Sequence, residues 1–574
     1  MCFNWFGSST SAERINFGTL AVIAPILERM DLAGILDRHL PKDPQAEFSA
    51  GSLLSLLVAA RLSDPVALVN VADWAQRSGA DLVWQIPPEK LNDDRLGRAL
   101  DNFYYQRHSI LASIALHVAE TFDLSLQRLH YDPTAIFFHG AYASSQPGDD
   151  PAPDLLRPWA NDPPAHITFG HAAHDLKIVH AGVSVAMDAH GAVPILVHAS
   201  AGNHNGHTTI AEQFELLQEH IHPPGLLLVS DRGTFSAGHV ARCHRDGVAV
   251  LCSAPWNDYR ALYDAHAARL PWQSASYLSL EQQRRRACAS SLPQEHYELA
   301  VRHHHVVDPD RGRNIPCRVI FVYSTADDKI CQQTRAKAVA KLRAGLEHLA
   351  GSVAAGRRHT DPQAVARRVA KLFGRRSAGR YFRWELVPLT AEEQAALPPP
   401  ARGCRRPTHR FVFHYDASQA EADARYDGIS VLVTTAPRTQ SADSLFSQFK
   451  QQNEVELAHH QWKTPLRVHP VFLKNPRRVE ALIHLLLIAL TAYYLIQRAY
   501  RLRVEPDAPQ AERRTTTETI LRAFTTYTLD LERQPLGRVV YTTRLTTRQR
   551  HMLQRLNFPT PAQVLSRKLP IHPP

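Results

Sequence analysis

The sequence predicts an α/β protein: a mixed β-sheet with helices on its faces, preceded by an all-helical domain and interrupted by a basic α+β segment. Three observations predict it. Apolar residues keep helical spacing from Thr19 to about Phe122. From residue 128 onward, β-branched runs bounded by Gly, Asp and Asn alternate with helical segments. From about 256 to 426 a cation-rich stretch breaks that alternation before it resumes.

In the first segment Val22, Ile23, Ile26, Leu27 and Met30 recur at three and four residues, and SLLSLLVAARL repeats the pattern. Asp64-Pro65 and Pro87-Pro88 divide the segment into short helices, giving a helical N-terminal domain over 1–125 that is a candidate for DNA binding. The strand runs RLHYDPTAIFF, DLKIVHAGVSVAMD and AVPILVHAS follow. Then come a helix (TTIAEQFELLQEHI), a strand (LLLVS), a helix (SAGHVARCHRDG) and a strand (VAVLCSA). Three consecutive strands followed by helix, strand, helix and strand match an RNase H-like core, whose first part occupies 126–255. The inserted domain, 256–426, mixes the strands RVIFVYS and RFVFHYD with a helix in which Val339, Leu342, Leu346 and Leu349 share a face. Its cations Arg357, Arg358, Arg367, Arg368, Lys371, Arg375, Arg376, Arg380 and Arg383 form either a solvated face or a phosphate-binding surface. The second part of the core, 427–504, begins with the strand GISVLVTTA and continues in one long helix from about 441 to 463. The C-terminal region, 505–574, is Pro- and Thr-rich and carries little pattern.

Length and composition bound what this architecture can do. A chain of 574 residues suggests several domains, and 44% hydrophobic with 21% charged residues excludes a wholly disordered or collagen-like chain. The 65 Lys and Arg exceed the 55 Asp and Glu by ten, which suits a polyanionic partner as well as a merely basic enzyme. Cys2, Cys243, Cys252, Cys288, Cys317, Cys331 and Cys404 form no CxxC pair and read as reduced thiols of a cytoplasmic protein. His303, His304 and His305 lack zinc-finger spacing, so an exposed His run and no structural zinc are expected. The N-terminus has no secretory-signal pattern. The apolar run 481–496 contains His484 and has basic flanks, which predicts a buried core helix and no membrane.

Chemistry is concentrated in three acids. Asp132 lies in the first strand pattern, and Asp231 ends LLLVS before the turn RGTF. Taken singly, each reads as a turn or helix cap; carboxylates at strand ends of one sheet can also converge on a shared metal site. The third acid is in FKQQNEVELAHHQWK, residues 449–463. At about 100° per helical residue, Glu456 and Lys463 fall within roughly 20° of each other, whereas Glu454 points away. Phe449, Gln452, Glu456, His460 and Lys463 then form one stripe, and Glu454 is a solvated neighbour. An amphipathic surface helix with an incidental Glu and Lys has the same pattern.

That segment resembles the YxxRxxxExxxxxxK signature of bacterial insertion-sequence transposases with a DDE active site, aligned on Phe449, Gln452, Glu456 and Lys463. Phe449 lacks the tyrosine hydroxyl and Gln452 lacks the arginine charge, departures that bear on DNA-end contacts more than on metal binding. LHYDPTAIFFHG is similar to the first-Asp segment of these enzymes, LLLVSDRGTFS to the second, and the distance to the glutamate resembles the subgroup with a large insertion before it. The resemblance covers roughly residues 20–500.

It implies a transposase that binds the terminal inverted repeats of its own element in double-stranded DNA, cuts there and joins the freed 3′-hydroxyl to target DNA. Asp132, Asp231 and Glu456 would bind two Mg²⁺, with Mn²⁺ able to substitute. Lys463, helped by Arg467, would contact a backbone phosphate, and Phe449 and Gln452 would belong to the same DNA-binding face. The resemblance further implies a homodimer when DNA is bound and a nucleoid-associated cytoplasmic location. Trp256 or Trp272 would stack on a base or pack in the core. An RNase H-like nuclease without strand transfer, and a non-catalytic DNA-binding relic, are the alternatives.

Overall fold

A computed structural model describes residues 13–40, 42, 44–139, 142, 163–170, 173–279, 282, 295–357, 361–374, 377–464, 466–467, 473–534, 537–569 and 571–572. Its strands are β1 (Glu13–Ile15), β2 (Arg128–Phe138), β3 (Thr168–Gly170), β4 (Ala173–Asp188), β5 (Gly191–Ala201), β6 (Leu227–Ser230), β7 (Ala249–Ser253), β8 (Gln273–Ser274), β9 (Tyr297–Val307), β10 (Asn314–Ser324), β11 (Phe382–Pro388), β12 (His409–Tyr415), β13 (Ile429–Thr434), β14 (Leu529–Gln534), β15 (Gly537–Thr542) and β16 (Ile571–His572).

The large mixed sheet predicted by the strand and helix alternation is present. Its order is β3-β4-β2-β6-β7-β13-β10-β9-β8, with β5 also paired to β4. The hairpin partners β2, β4 and β5 run antiparallel. By contrast β2, β6 and β7 are parallel neighbours, because the helices Gly206–His220 and Ala237–Arg245 carry the chain back across the sheet. Both helices start where the sequence supplies a cap: Asn205 accepts from the Thr208 N–H at 3.0 Å and Ser236 from the His239 N–H at 3.1 Å.

The strand RVIFVYS belongs to β10, which with β9, β8 and β13 continues the central sheet beyond β7. A separate core gathers around Leu342, Leu346, Leu349, Val365, Val369, Phe382 and Phe411, from the helices Thr325–Ala354 and Pro362–Phe373 and the hairpin β11-β12. Arg357, Arg367, Arg368, Lys371, Arg380 and Arg383 are exposed on this body, whereas Arg358, Arg375 and Arg376 lie outside the described residues. Trp256 packs on Tyr263 and Tyr426, each at 5.4 Å between ring centres, and Trp272 faces Tyr323 at 6.4 Å.

One expectation about the second half is corrected. The single helix over 441–463 is two helices, Ala442–Lys450 and Gln452–Lys463. At the junction the Gln451 N–H goes to the Gln448 carbonyl and the Glu454 N–H to the Gln451 carbonyl, so i→i+3 bonds replace α-helical ones. The tail past 505 is ordered into helices and a four-stranded sheet, β1-β14-β15-β16, which joins it to the N-terminal segment. Its threonines are caps: Thr546 with Gln549 and Thr560 with Gln563 form capping boxes, and Pro561 opens the helix after Thr560.

The apolar run is a buried core helix, Pro476–Arg501; every residue of its most apolar 18-residue window is buried. One face packs on β5 and the other on the N-terminal helices Asp93–Thr121 and Ala50–Ser63. Polar groups pin it at each end. Arg478 makes a bidentate pair with Asp101 at 2.8 and 2.7 Å, and Arg107 donates to Glu480 at 2.8 Å. At the far end Arg498, 1% exposed, donates to both Asp188 oxygens at 2.7 Å and to the Phe122 and Asp123 carbonyls. Removing one partner of such a pair strands a buried charge, so Arg498→Ala should cost about 3–5 kcal/mol in denaturant unfolding. Replacing both residues, as Arg498→Met with Asp188→Leu, should recover most of that loss.

Candidate active site

Strand register brings the two aspartates together. Arg128, His130 and their neighbours pair with Leu227 to Ser230, the last pair being Tyr131 with Ser230. One step further stand Asp132 and Asp231, adjacent across parallel strands about 4.8 Å apart and on the same sheet face. That face also carries Leu227 and Val229, which pack under Leu445 and Phe446 of the helix Ala442–Lys450. Asp231 is held by the Gly233 N–H at 3.0 Å. Burial, and then the charge of Asp132, push its pKa above the ordinary carboxylate range.

The helix Gln452–Lys463 crosses the same face. Gln452 accepts from His130 Nδ1 at 2.9 Å and donates to the Tyr131 carbonyl at 3.2 Å, immediately beside Asp132. Burial drives the His130 pKa down to about 4, so at neutral pH its Nδ1–H is a neutral donor. His459 lies seven residues past Gln452 and is 7% exposed; its Nε2 is 3.2 Å from Asp132 Oδ2. Lys463 is half-buried, and burial lowers its pKa while the nearby Asp132 charge opposes that shift. Glu456 shares the stripe of Gln452, His459 and Lys463, offset by roughly 20–60° from each. It is exposed.

Two sequence expectations change here, and one residue is added. His459 reaches Asp132, while His460, about 40° from Glu456 on the other flank of the stripe, is exposed. Phe449 belongs to the preceding helix and is half-buried against the core under β6, so it is not on the Glu456 stripe. Glu454 is no solvated neighbour: it is half-buried on the opposite side, where its charge acts on Arg501 and Tyr494. Arg467 is exposed past the helix end, in a left-handed conformation with φ +46°. His130 and His459 escaped the sequence reading, although the Gln452–His459 heptad spacing is a signal for the latter.

Asp132 and Asp231 set two like charges side by side, and Glu456 is exposed on the helix that crosses the same face. Such oxygen donors suit a hard divalent cation, which would relieve the repulsion between Asp132 and Asp231. A family model described as Transposase DDE domain matches residues 170–492, more than half of the chain, and a domain of unknown function (DUF4277) matches residues 11–116. The chain is a member of the DDE transposase family. No curated protein matches it. Asp231 and Glu456 lie inside the matched transposase segment, while β2 with Asp132 precedes it.

Like-charge repulsion makes a direct prediction. With divalent cations chelated, Asp231→Asn should leave the melting temperature unchanged or higher, since the amide still accepts from Gly233 while one negative charge is lost. A clear fall in melting temperature would mean that the two carboxylates do not repel in the folded state.

Proposed function

We propose that this transposase cuts the ends of a DNA element and joins them to target DNA, with Asp132, Asp231 and Glu456 as its reaction centre. Membership of the DDE transposase family and the adjacent register of Asp132 and Asp231 carry this reading. The strand order β5-β4-β2-β6-β7, three antiparallel strands followed by two parallel ones, supports an RNase H-like core. We further read the chain as a helical domain (1–125), a core in two parts (126–255 and 427–504) separated by an inserted segment (256–426), and a C-terminal region (505–574).

Asp132, Asp231 and Glu456 would hold two Mg²⁺, which would supply Lewis acidity for phosphodiester chemistry. The chain's own residues set the geometry around those acids. Gln452 braces the helix against β2 from below; with both ends of its amide engaged, it acts as a strut and leaves the phosphate contact to Lys463. His459 stands beside the Asp132 carboxylate, its Nε2 at 3.2 Å without a hydrogen bond. Lys463 presents a cation beside Asp132, where a backbone phosphate of the DNA end would lie. Water places its oxygen on phosphorus and releases a 3′-hydroxyl, and that hydroxyl then displaces a 3′-oxygen in the target, so one phosphodiester is exchanged for another. The exposed cations of the inserted body extend a surface for double-stranded DNA. Two ends joined in one event favour a homodimer on DNA.

The test is Mg²⁺-dependent cleavage and joining of DNA bearing the element's ends. Asp132→Asn, Asp231→Asn and Glu456→Gln should each lose at least about 10³-fold in rate, a barrier increase of about 4 kcal/mol. Glu454→Gln should stay within a few-fold of the parent. Equal loss in Glu454→Gln would remove the helical-phase assignment. Cut ends without joined products would favour a nuclease.

A further inference from the structure

Away from that face, four histidines converge between the helix Asp93–Thr121, the helix Pro476–Arg501, β5 and the end of the helix Gly206–His220. The His108 ring centre lies 5.1 Å from His484, 5.7 Å from His198 and 6.4 Å from His220. Ligand atoms of His108, Glu480 and His484 all fall within 4.8 Å of one another. His108 Nδ1, His198 Nδ1 and His484 Nε2 are all shielded from solvent and make no hydrogen bond. A buried polar atom left unpaired costs about 1–3 kcal/mol, and three such nitrogens in one cluster call for a common partner.

In His484 and His198 the opposite ring nitrogen is engaged as that of a metal ligand is. His484 Nδ1 donates to the Glu480 carbonyl at 2.8 Å, leaving the Nε2 lone pair directed inward, with the Val197 carbonyl nearby but out of hydrogen-bond geometry. His198 Nε2 faces the Glu212 carboxylate at 3.4 Å, leaving Nδ1 inward. Burial holds His108 and His484 well below their ordinary pKa, in the neutral form that ligates. Glu480 already accepts from Arg107 at 2.8 Å and from the Ala165 N–H at 2.7 Å, but a carboxylate oxygen has a second lone pair. Glu480 and Glu212 together offset Arg107 and part of an added dication's charge.

We propose that His108, His198, Glu480 and His484 bind one Zn²⁺ at a structural site separate from the Asp132–Asp231–Glu456 centre. Three imidazoles and one carboxylate with no thiolate match a four-coordinate Zn²⁺. The ion would fasten the long N-terminal helix to the central helix and to β5. Ligands drawn from positions 108, 198, 480 and 484 make no spacing motif, which is why none was expected from the sequence.

The experiment uses untagged full-length protein, measuring retained zinc by mass spectrometry and, after exchange, the visible spectrum of Co²⁺. Wild type and Asp132→Asn should both retain about one zinc per chain, and His108→Gln and His484→Gln at least about tenfold less. Co²⁺ in the wild type should show the intense visible bands of four-coordination and lose them on adding Zn²⁺. Should the variants fail to fold, the wild-type Co²⁺ spectrum still decides. Wild type without zinc and without those bands, or folded His variants with undiminished zinc, would overturn the site; loss of zinc in Asp132→Asn would place the metal at the reaction centre instead.

Discussion

The parallel register of β2 on β6 is the constraint on which the candidate site depends. Pairing Tyr131 with Ser230 makes Asp132 and Asp231 the next pair, so two acids 99 residues apart become neighbours at the point where the ladder stops. A one-residue slip would send one carboxylate through the sheet to the opposite face. The slip is opposed by apolar burial on both faces: Leu227 and Val229 pack under the helix Ala442–Lys450, while Leu129 and Leu228 enter the main core. The same register sets the two charges side by side, and burial together with the Asp132 charge raises the pKa of Asp231.

The helix carrying Glu456 is referenced to this register rather than to DNA. Its inward residues Val455, Ala458 and Trp462 are buried, and Gln452 and His459 reach β2 through polar contacts. Gln452 fills the space between His130 and the Tyr131 carbonyl, accepting from one and donating to the other. Gln452 therefore has a structural use in this chain. Behind it the central helix Pro476–Arg501 joins everything: Arg478, Glu480 and Arg498 tie it to the N-terminal helices and to β4.

Much of this was legible in the sequence because it rests on local period. The strand and helix alternation of 128–254 forecasts the sheet, and the Leu342, Leu346, Leu349 spacing forecasts the buried face of the inserted helix. Glu456 and Glu454 lie on different sides of the helix Gln452–Lys463, one exposed and one half-buried near Arg501. What stayed hidden depends on contacts between distant residues or on local geometry without a marker residue. QFKQQNEVE contains no Gly or Pro, so nothing signals the break at Gln451, and the break removes Phe449 from the stripe. The choice of His459 over His460 needs the direction of β2. Pairing of β1 with β14, and of β10 with β13 to extend the central sheet, spans too much chain for periodicity to report. The histidine cluster is hidden for the same reason.

The most direct measurement of the central claim is iron-mediated backbone cleavage. Fe²⁺ replaces Mg²⁺ in the protein, and hydroxyl radicals generated with ascorbate and peroxide cut the chain near the bound ion; fragment ends are read by mass spectrometry. The account predicts ends clustered around residues 132, 231 and 456, competed by Mg²⁺ and lost together in Asp231→Asn. Cuts that avoid those three segments, or that persist unchanged in Asp231→Asn, would contradict it.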